Sequence, residues 1–310
     1  MKNYYLLIIC LLATGLRSHG QQISDTSFTP QISRPAYPTG KGAVIAIDEG
    51  HHNFHTLDGR YLTLAKLLRQ DGYIVRKYEG LLDKDKLKQV DILIISNSLN
   101  ERNAIGNNWS LPTPSAFSKE EIEVVNNWVK NGGRLLLVAD HMPFPGAAHG
   151  LAASFGIDFQ NVFATDKRKR RLDYFTREEG TLKDAPLTKG LDSIVTFGGS
   201  AFSITAKSYT PVIVFDDNYQ LVYQDTARVF NKNTIIKPAT GWLQLAYLQY
   251  GKGRIAVSGE AAMFSAQIVV RQNNWPMGFN NPGARNNVPF IRNLFGWLGS
   301  GIPHPATPLE

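Results

Sequence analysis

Five consecutive apolar residues, Ala43 to Ile47, stop abruptly on Asp48 and Glu49, and the loop that follows carries His51, His52 and His55. A run this short and this uniform leaves no polar side at either the helical or the alternating period. It therefore predicts a strand covered on both faces, as in a parallel sheet. A polar loop at the carboxyl end of such a strand predicts a ligand site, because clefts in open sheets form there. Asp58 is placed to cap the helix that follows.

The same rhythm repeats downstream. Over 59–70, Leu62, Ala65, Leu67 and Leu68 fall at helical spacing, and Asp71-Gly72 ends the helix before a strand over 73–77. A third strand, 91–96, exits at Asn97. Ser118 and Glu121 form a capping box for a helix that passes Val124, Val125 and Trp128 and stops at Gly132-Gly133. A fourth strand, 134–139, delivers Asp140 and His141. The alternation predicts an α/β fold: a doubly wound, mostly parallel sheet with right-handed crossovers. The segment 100–116, rich in Asn, Pro and Ser, is long enough for a lid or binding loop.

After Phe155 the pattern turns β-rich. Two hairpins are expected, 211–215 with 220–223 and 242–250 with 254–258, followed by a last apolar helix over 288–298. At 43% hydrophobic and 19% charged, the 310 residues can bury a sizeable core.

Residues 1–20 read as a signal peptide, with an apolar stretch over 4–13 behind Lys2 and small residues at Ser18 and Gly20. The expected organisation is then an extended leader over 21–41, one domain over 42–300 and a tail over 301–310. The product would be periplasmic or secreted, with no transmembrane segment in the mature chain. Ile9 in front of Cys10 disfavours lipidation. Cys10 is the only cysteine and lies in the segment to be removed, which leaves no thiol for catalysis or metal binding. The formal charge of +7 falls to +5 once Lys2 and Arg17 go. The basic run 167–171 reads as a solvated turn, and with no aromatics interleaved it argues against a nucleic-acid partner.

If the strands are as read, their carboxyl ends bring Asp48, Glu49, His51, Asp140, His141 and Glu260 to one rim as candidate catalytic groups. His52, Asn53 and Asn97 are candidates for binding substrate. A divalent cation, zinc or manganese, is one expectation, with His51, His52, His55 and His141 as candidate ligands. A metal-free hydrolase is another, in which an acid orients a histidine that activates water. No G-x-S-x-G elbow occurs, and Ser258 is a weak nucleophile candidate. Trp109, Trp242 and Trp275 offer flat faces suited to a carbohydrate, whereas Trp128 and Trp297 fall on apolar helix faces.

Four separated motifs, I-D-E-G-H-H-N-F-H-T-L-D-G-R-Y, G-G-R-L-L-L-V-A-D-H-M-P-F-P-G, G-R-I-A-V-S-G-E-A-A-M-F-S-A-Q and N-N-V-P-F-I-R-N-L-F-G-W-L, run in order from about Gly42 to Leu298. In them the chain resembles a family of exported bacterial proteins of unknown function whose domain is similar to class I glutamine amidotransferases. That resemblance implies a flavodoxin-like fold. It also marks a departure, because true glutamine amidotransferases of that fold use a cysteine at a strand-to-helix elbow where this chain carries Asp140-His141, so glutamine hydrolysis by that route is excluded. What remains is an exported protein acting on, or binding, a small molecule or glycan. A hydrolase is the nominal class, and a non-catalytic binding or envelope-assembly module is the alternative.

Overall fold

The computed structural model describes residues 22–302; the expected signal peptide and most of the tail lie outside them. Five strands form the parallel part of the central sheet, in the order β3 (Ile74–Tyr78), β2 (Val44–Asp48), β4 (Ile92–Ser96), β5 (Arg134–Val138) and β15 (Gly253–Ser258). Their apolar residues alternate between two separate cores. Ile45, Ile47, Ile92, Ile94, Leu136 and Val138 face one side, with α1 (Leu62–Gln70) and α6 (Asn287–Gly299). Ala46, Leu93, Ile95, Leu135 and Leu137 face the other, with α4 (Lys119–Lys130) and α5 (Phe144–Ala153). Burial on both faces explains why these strands read as unbroken apolar runs. Each fully buried Leu or Ile contributes about 1.5–3 kcal/mol.

The sheet does not continue in that manner. β14 (Leu243–Tyr250) pairs antiparallel with β15, and β10 (Ala201–Ile204), β11 (Thr210–Val214) and β6 (Ile157–Gln160) complete nine strands through further antiparallel pairings. Three antiparallel sheets flank it. One joins β1 (Gln22–Ser24), β16 (Ala266–Val269) and β17 (Trp275–Gly278), and another joins β13 (Ile235–Pro238), β12 (Tyr219–Tyr223) and β7 (Phe163–Asp166). The third pairs β8 (Asp173–Thr176) with β9 (Ser193–Thr196).

The expected doubly wound, mostly parallel architecture is thereby overturned, as is the flavodoxin-like sheet that the resemblance implied. The fold is mostly β. The described residues hold 17 strands against six α-helices, two of which, α2 (Lys84–Leu87) and α3 (Glu101–Ala104), are single turns. The cause is local: no α-helix forms between Ala153 and Asn287, and parallel strands cannot succeed one another without a crossover of a dozen or more residues. The chain returns through short antiparallel strands instead.

Smaller expectations divide. β14 and β15 do form a hairpin, and the Ser118–Glu121 capping box closes α4. β11 and β12 do not pair with each other; β11 joins β14, and β12 lies between β7 and β13. Asp58 caps nothing. It is exposed and pairs with Lys77 at 2.7 Å, while Tyr61 stands at the N-cap of α1 and makes no side-chain cap bond. No helix among the described residues is long and apolar enough to cross a membrane.

Candidate functional site

The loop after β2 folds back on its own strand. Asp48 is fully buried and accepts from Gly50 N (3.2 Å), Asn53 Nδ2 (3.0 Å) and His51 Nδ1 (2.9 Å to Oδ2). The other ring nitrogen of His51, Nε2, meets Glu121 Oε1 at 2.9 Å. Carboxylates only accept, so both nitrogens carry protons and His51 is an imidazolium between two acids. Burial is the strongest single influence on its pKa and works to lower it, but the hydrogen bonds and charges of Asp48 and Glu121 together raise it. Glu121 Oε1 also accepts from Leu82 N and its Oε2 from Ser118 N. Burial opposes ionisation of Glu121, and these bonds with His51 more than offset it, so its pKa is lowered.

This triad has no nitrogen left for a metal or a substrate. Asn53 is held by Asp48 and by the Ser96 carbonyl, and Glu49 Oε1 accepts from Leu57 N at 2.7 Å. His52 is exposed and takes φ +47°. Glu260 is buried, and its two oxygens accept from Ala262 N (2.7 Å) and Met263 N (2.8 Å) at the start of a turn. Burial, and after it the charge of Asp140, push the Glu260 pKa well up. Ser258 Oγ donates to the Glu260 carbonyl and Ser200 Oγ to that of Ala139, so both hydroxyls are spent locally.

The remaining candidates meet in a cavity of about 490 Å³ beyond the carboxyl ends of β4 and β5. Asn97, Asp140, His141 and His55 all line it. Asn97 adopts φ +50°, a left-handed conformation that asparagine tolerates, and so turns the chain directly after β4. Its Oδ1 accepts from Asp140 N at 2.8 Å and its Nδ2 donates to His55 Nδ1 at 3.3 Å. His55 is buried, and burial, with Arg60 and His141 behind it, holds its pKa well below the usual histidine range.

His141 differs from His51 in what its ring nitrogens touch. Nδ1 lies 2.7 Å from the Met142 carbonyl, which can only accept, so the proton sits on Nδ1 and the lone pair on Nε2. The ring stacks on Phe163 with centroids 4.4 Å apart at 13°. Burial lowers its pKa, and Arg228 adds to this against the opposing charge of Asp140, so the ring is neutral at pH 7. Asp140 does not orient it: the carboxylate accepts from His141 N at 2.7 Å, and Met142 fixes the ring instead.

Several further residues line the cavity, of which the sequence singled out only Trp109, as a flat face on a candidate binding loop. Phe54 and Arg60 come from the β2 loop, Trp109 from 101–116, Phe197 from the exit of β9, Arg228 from 224–230 and Gln267 from β16. Three of them present a buried polar atom with no partner among the described residues: Arg60 Nε, Trp109 Nε1 and Gln267 Oε1. A larger surface hollow of about 680 Å³ beside α2 and α4, lined by Lys84, Trp128 and Arg134, holds no histidine. Among the described residues no group of three or more His, Cys, Asp or Glu side chains is arranged to hold a metal ion.

No protein-family model matches the chain, and no curated protein matches its sequence. Among solved structures it is similar to the mmIFT52 N-terminal domain, at 16% identity and TM-score 0.60 over 84% of this chain and 100% of that one. That likeness is one of fold alone. A ThuA-like protein from Bacteroides uniformis matches at 13% identity and TM-score 0.42, covering 88% of this chain and 95% of its own. A cytoplasmic protein from Salmonella typhimurium matches at 13% and 0.43, covering 83% and 96%. Both are distant, and neither bears on the reaction.

Proposed function

We propose that the cavity is the active site of a hydrolase acting on a small polar molecule or glycan fragment, with His141 as general base. The observation that carries this reading is the tautomer of His141. A neutral imidazole whose Nδ1 proton is held by a backbone carbonyl carries its lone pair on Nε2, where Arg228 Nη2 lies at 3.4 Å; once that long contact gives way to a water, Nε2 can take its proton as the oxygen attacks. Asp140 supports the step, because its second oxygen takes no hydrogen bond among the described residues and is available to a water or a substrate hydroxyl. Three unpartnered polar atoms in one cavity wall support a polar occupant, since leaving each one unmet costs about 1–3 kcal/mol. The volume lies within the range of about 300–1,000 Å³ typical of small-molecule sites.

The test is hydrolysis of a panel of p-nitrophenyl esters, glycosides and phosphates by the purified protein and by His141→Asn. The reading expects turnover by the wild type to rise with pH through a pKa below the ordinary histidine value and then level. The variant should lose about 10²- to 10⁴-fold in kcat with its melting temperature nearly unchanged. Equal turnover by both proteins would remove His141 as base. Ligand binding without hydrolysis anywhere in the panel would favour the non-catalytic binding module.

A further inference from the structure

Two guanidinium groups reach this cavity from segments far apart in the chain. The described arginines that form ion pairs are Arg168, Arg170, Arg177, Arg285 and Arg292; Arg60 and Arg228 are not among them. Arg60 donates through Nη1 to the Phe54 carbonyl at 3.1 Å and lies 3.8 Å from the centroid of the Phe54 ring, with Nε unpartnered. Burial lowers its pKa to about 10, which leaves it cationic at neutral pH. Arg228 takes φ +65°, costly for a residue with a long side chain, and its backbone N–H is fixed by Gln224 Oε1 at 2.8 Å. Its Nη2 lies 3.4 Å from His141 Nε2, which aims the fork at the reacting end of the cavity.

Charge in the lining is unequal. Arg60 and Arg228 stand against a single carboxylate, Asp140, and neither His55 nor His141 adds a negative group. Two unpaired guanidiniums in a partly enclosed space are the arrangement that recognises a carboxylate or phosphate, where Arg offers a planar fork of donors. We propose that the ligand of this cavity is a small organic anion, bearing a carboxylate or a phosphate monoester that Arg60 and Arg228 hold. Its uncharged part lies on Phe54, Trp109 and Phe197 and meets Trp109 Nε1 and Gln267 Oε1. The inference rests on the reading of this cavity as the functional site and narrows its substrate class.

Binding, rather than turnover, tests it. Thermal melts and titration calorimetry at constant ionic strength would use four probes: sodium glucuronate, glucose 6-phosphate, inorganic phosphate and glucose. At least one anion should stabilise the wild type, and glucose at the same concentration should not. Preference for glucuronate over both phosphates assigns a carboxylate, and the reverse assigns a phosphate. Arg228→Gln, a change at an exposed position that leaves the core intact, should weaken the anion about tenfold, as should Arg60→Gln, while Arg60→Lys should lose less. No stabilisation of the wild type by any of the three anions, equal stabilisation by glucose, or unchanged affinity in both Gln variants would overturn the proposal. His141→Asn separates this from the hydrolase reading. It should keep the anion while losing turnover, and a His141→Asn protein that still hydrolyses its substrate would sink the base and leave the anion site standing.

Discussion

Glu121→Gln removes one charge from a buried triad and leaves its shape. The amide oxygen can still accept from Leu82 N, and the carboxylate of Asp48 still holds His51 Nδ1. What goes is the negative charge facing His51 Nε2 at 2.9 Å, together with the bond from Ser118 N, which would meet the amide nitrogen in place of Oε2. Bonds to charged groups contribute about 1.5–3 kcal/mol against about 0.5–1.5 for neutral ones, so the expected loss is about 1–2 kcal/mol. For a chain of this size that lowers the melting temperature by about 2–8 °C. The pH dependence gives the sharper signature. The pKa of His51 is raised in the folded state, so its stabilisation is fully present below the unfolded value near 6.5 and is lost as pH rises through the folded value. The gap between wild type and variant should therefore be widest near pH 6 and narrow above it. His55 and His141, whose pKa values shift the other way, contribute equally to both proteins and cancel. Calorimetric melts from pH 5.5 to 9 would measure the gap. A gap that stays constant or widens with pH would refute the imidazolium assignment.

Other outcomes follow from the same contacts. Asp140→Asn keeps an acceptor for His141 N but removes the like charge that, after burial, helps push up the pKa of Glu260; its melting temperature at pH 7–8 should rise while turnover falls. Gly50→Ala would set a Cβ 2.1 Å from the Gly80 carbonyl oxygen, so the loop must move; a loss of about 1–3 kcal/mol in chemical denaturation is expected, and an unchanged midpoint would contradict the packing. Asn97→Ala removes the acceptor for Asp140 N and the donor to His55 together and puts alanine at φ +50°; a loss of about 2–4 kcal/mol should appear in the same denaturation assay.

The parallel half of the sheet was legible because double burial writes itself as uniform apolar runs, and each run ended where a polar loop began. Asn97, Asp140 and His141 stand at the ends of such runs, and all three line the cavity. Asp48 and His51 were grouped with them by the same rule, yet the loop after β2 closes on itself through Asn53 and hands His51 to Glu121. Glu121 carried a signal, its place in a capping box, and that local role concealed the second one on His51. The β-rich half misled because strand partners are not local: Asp216-Asp217-Asn218 reads as a hairpin turn, but the strands on either side belong to different sheets. Arg60, Arg228 and Gln267 had no pattern to betray them. Arg228 and Gln267 enter the cavity through pairings between segments distant in sequence, and Arg60 through a local fold of the β2 loop onto Phe54.

Two histidines are held in opposite states, His51 locked as a cation between two acids and His141 neutral with its lone pair on Nε2. Nitrogen-15 NMR of histidine-labelled protein at pH 7 reads both directly. It should show His51 protonated on both nitrogens and His141 neutral, with the proton on Nδ1 and Nε2 bare. A His141 that is charged, or that carries its proton on Nε2, would contradict the central claim.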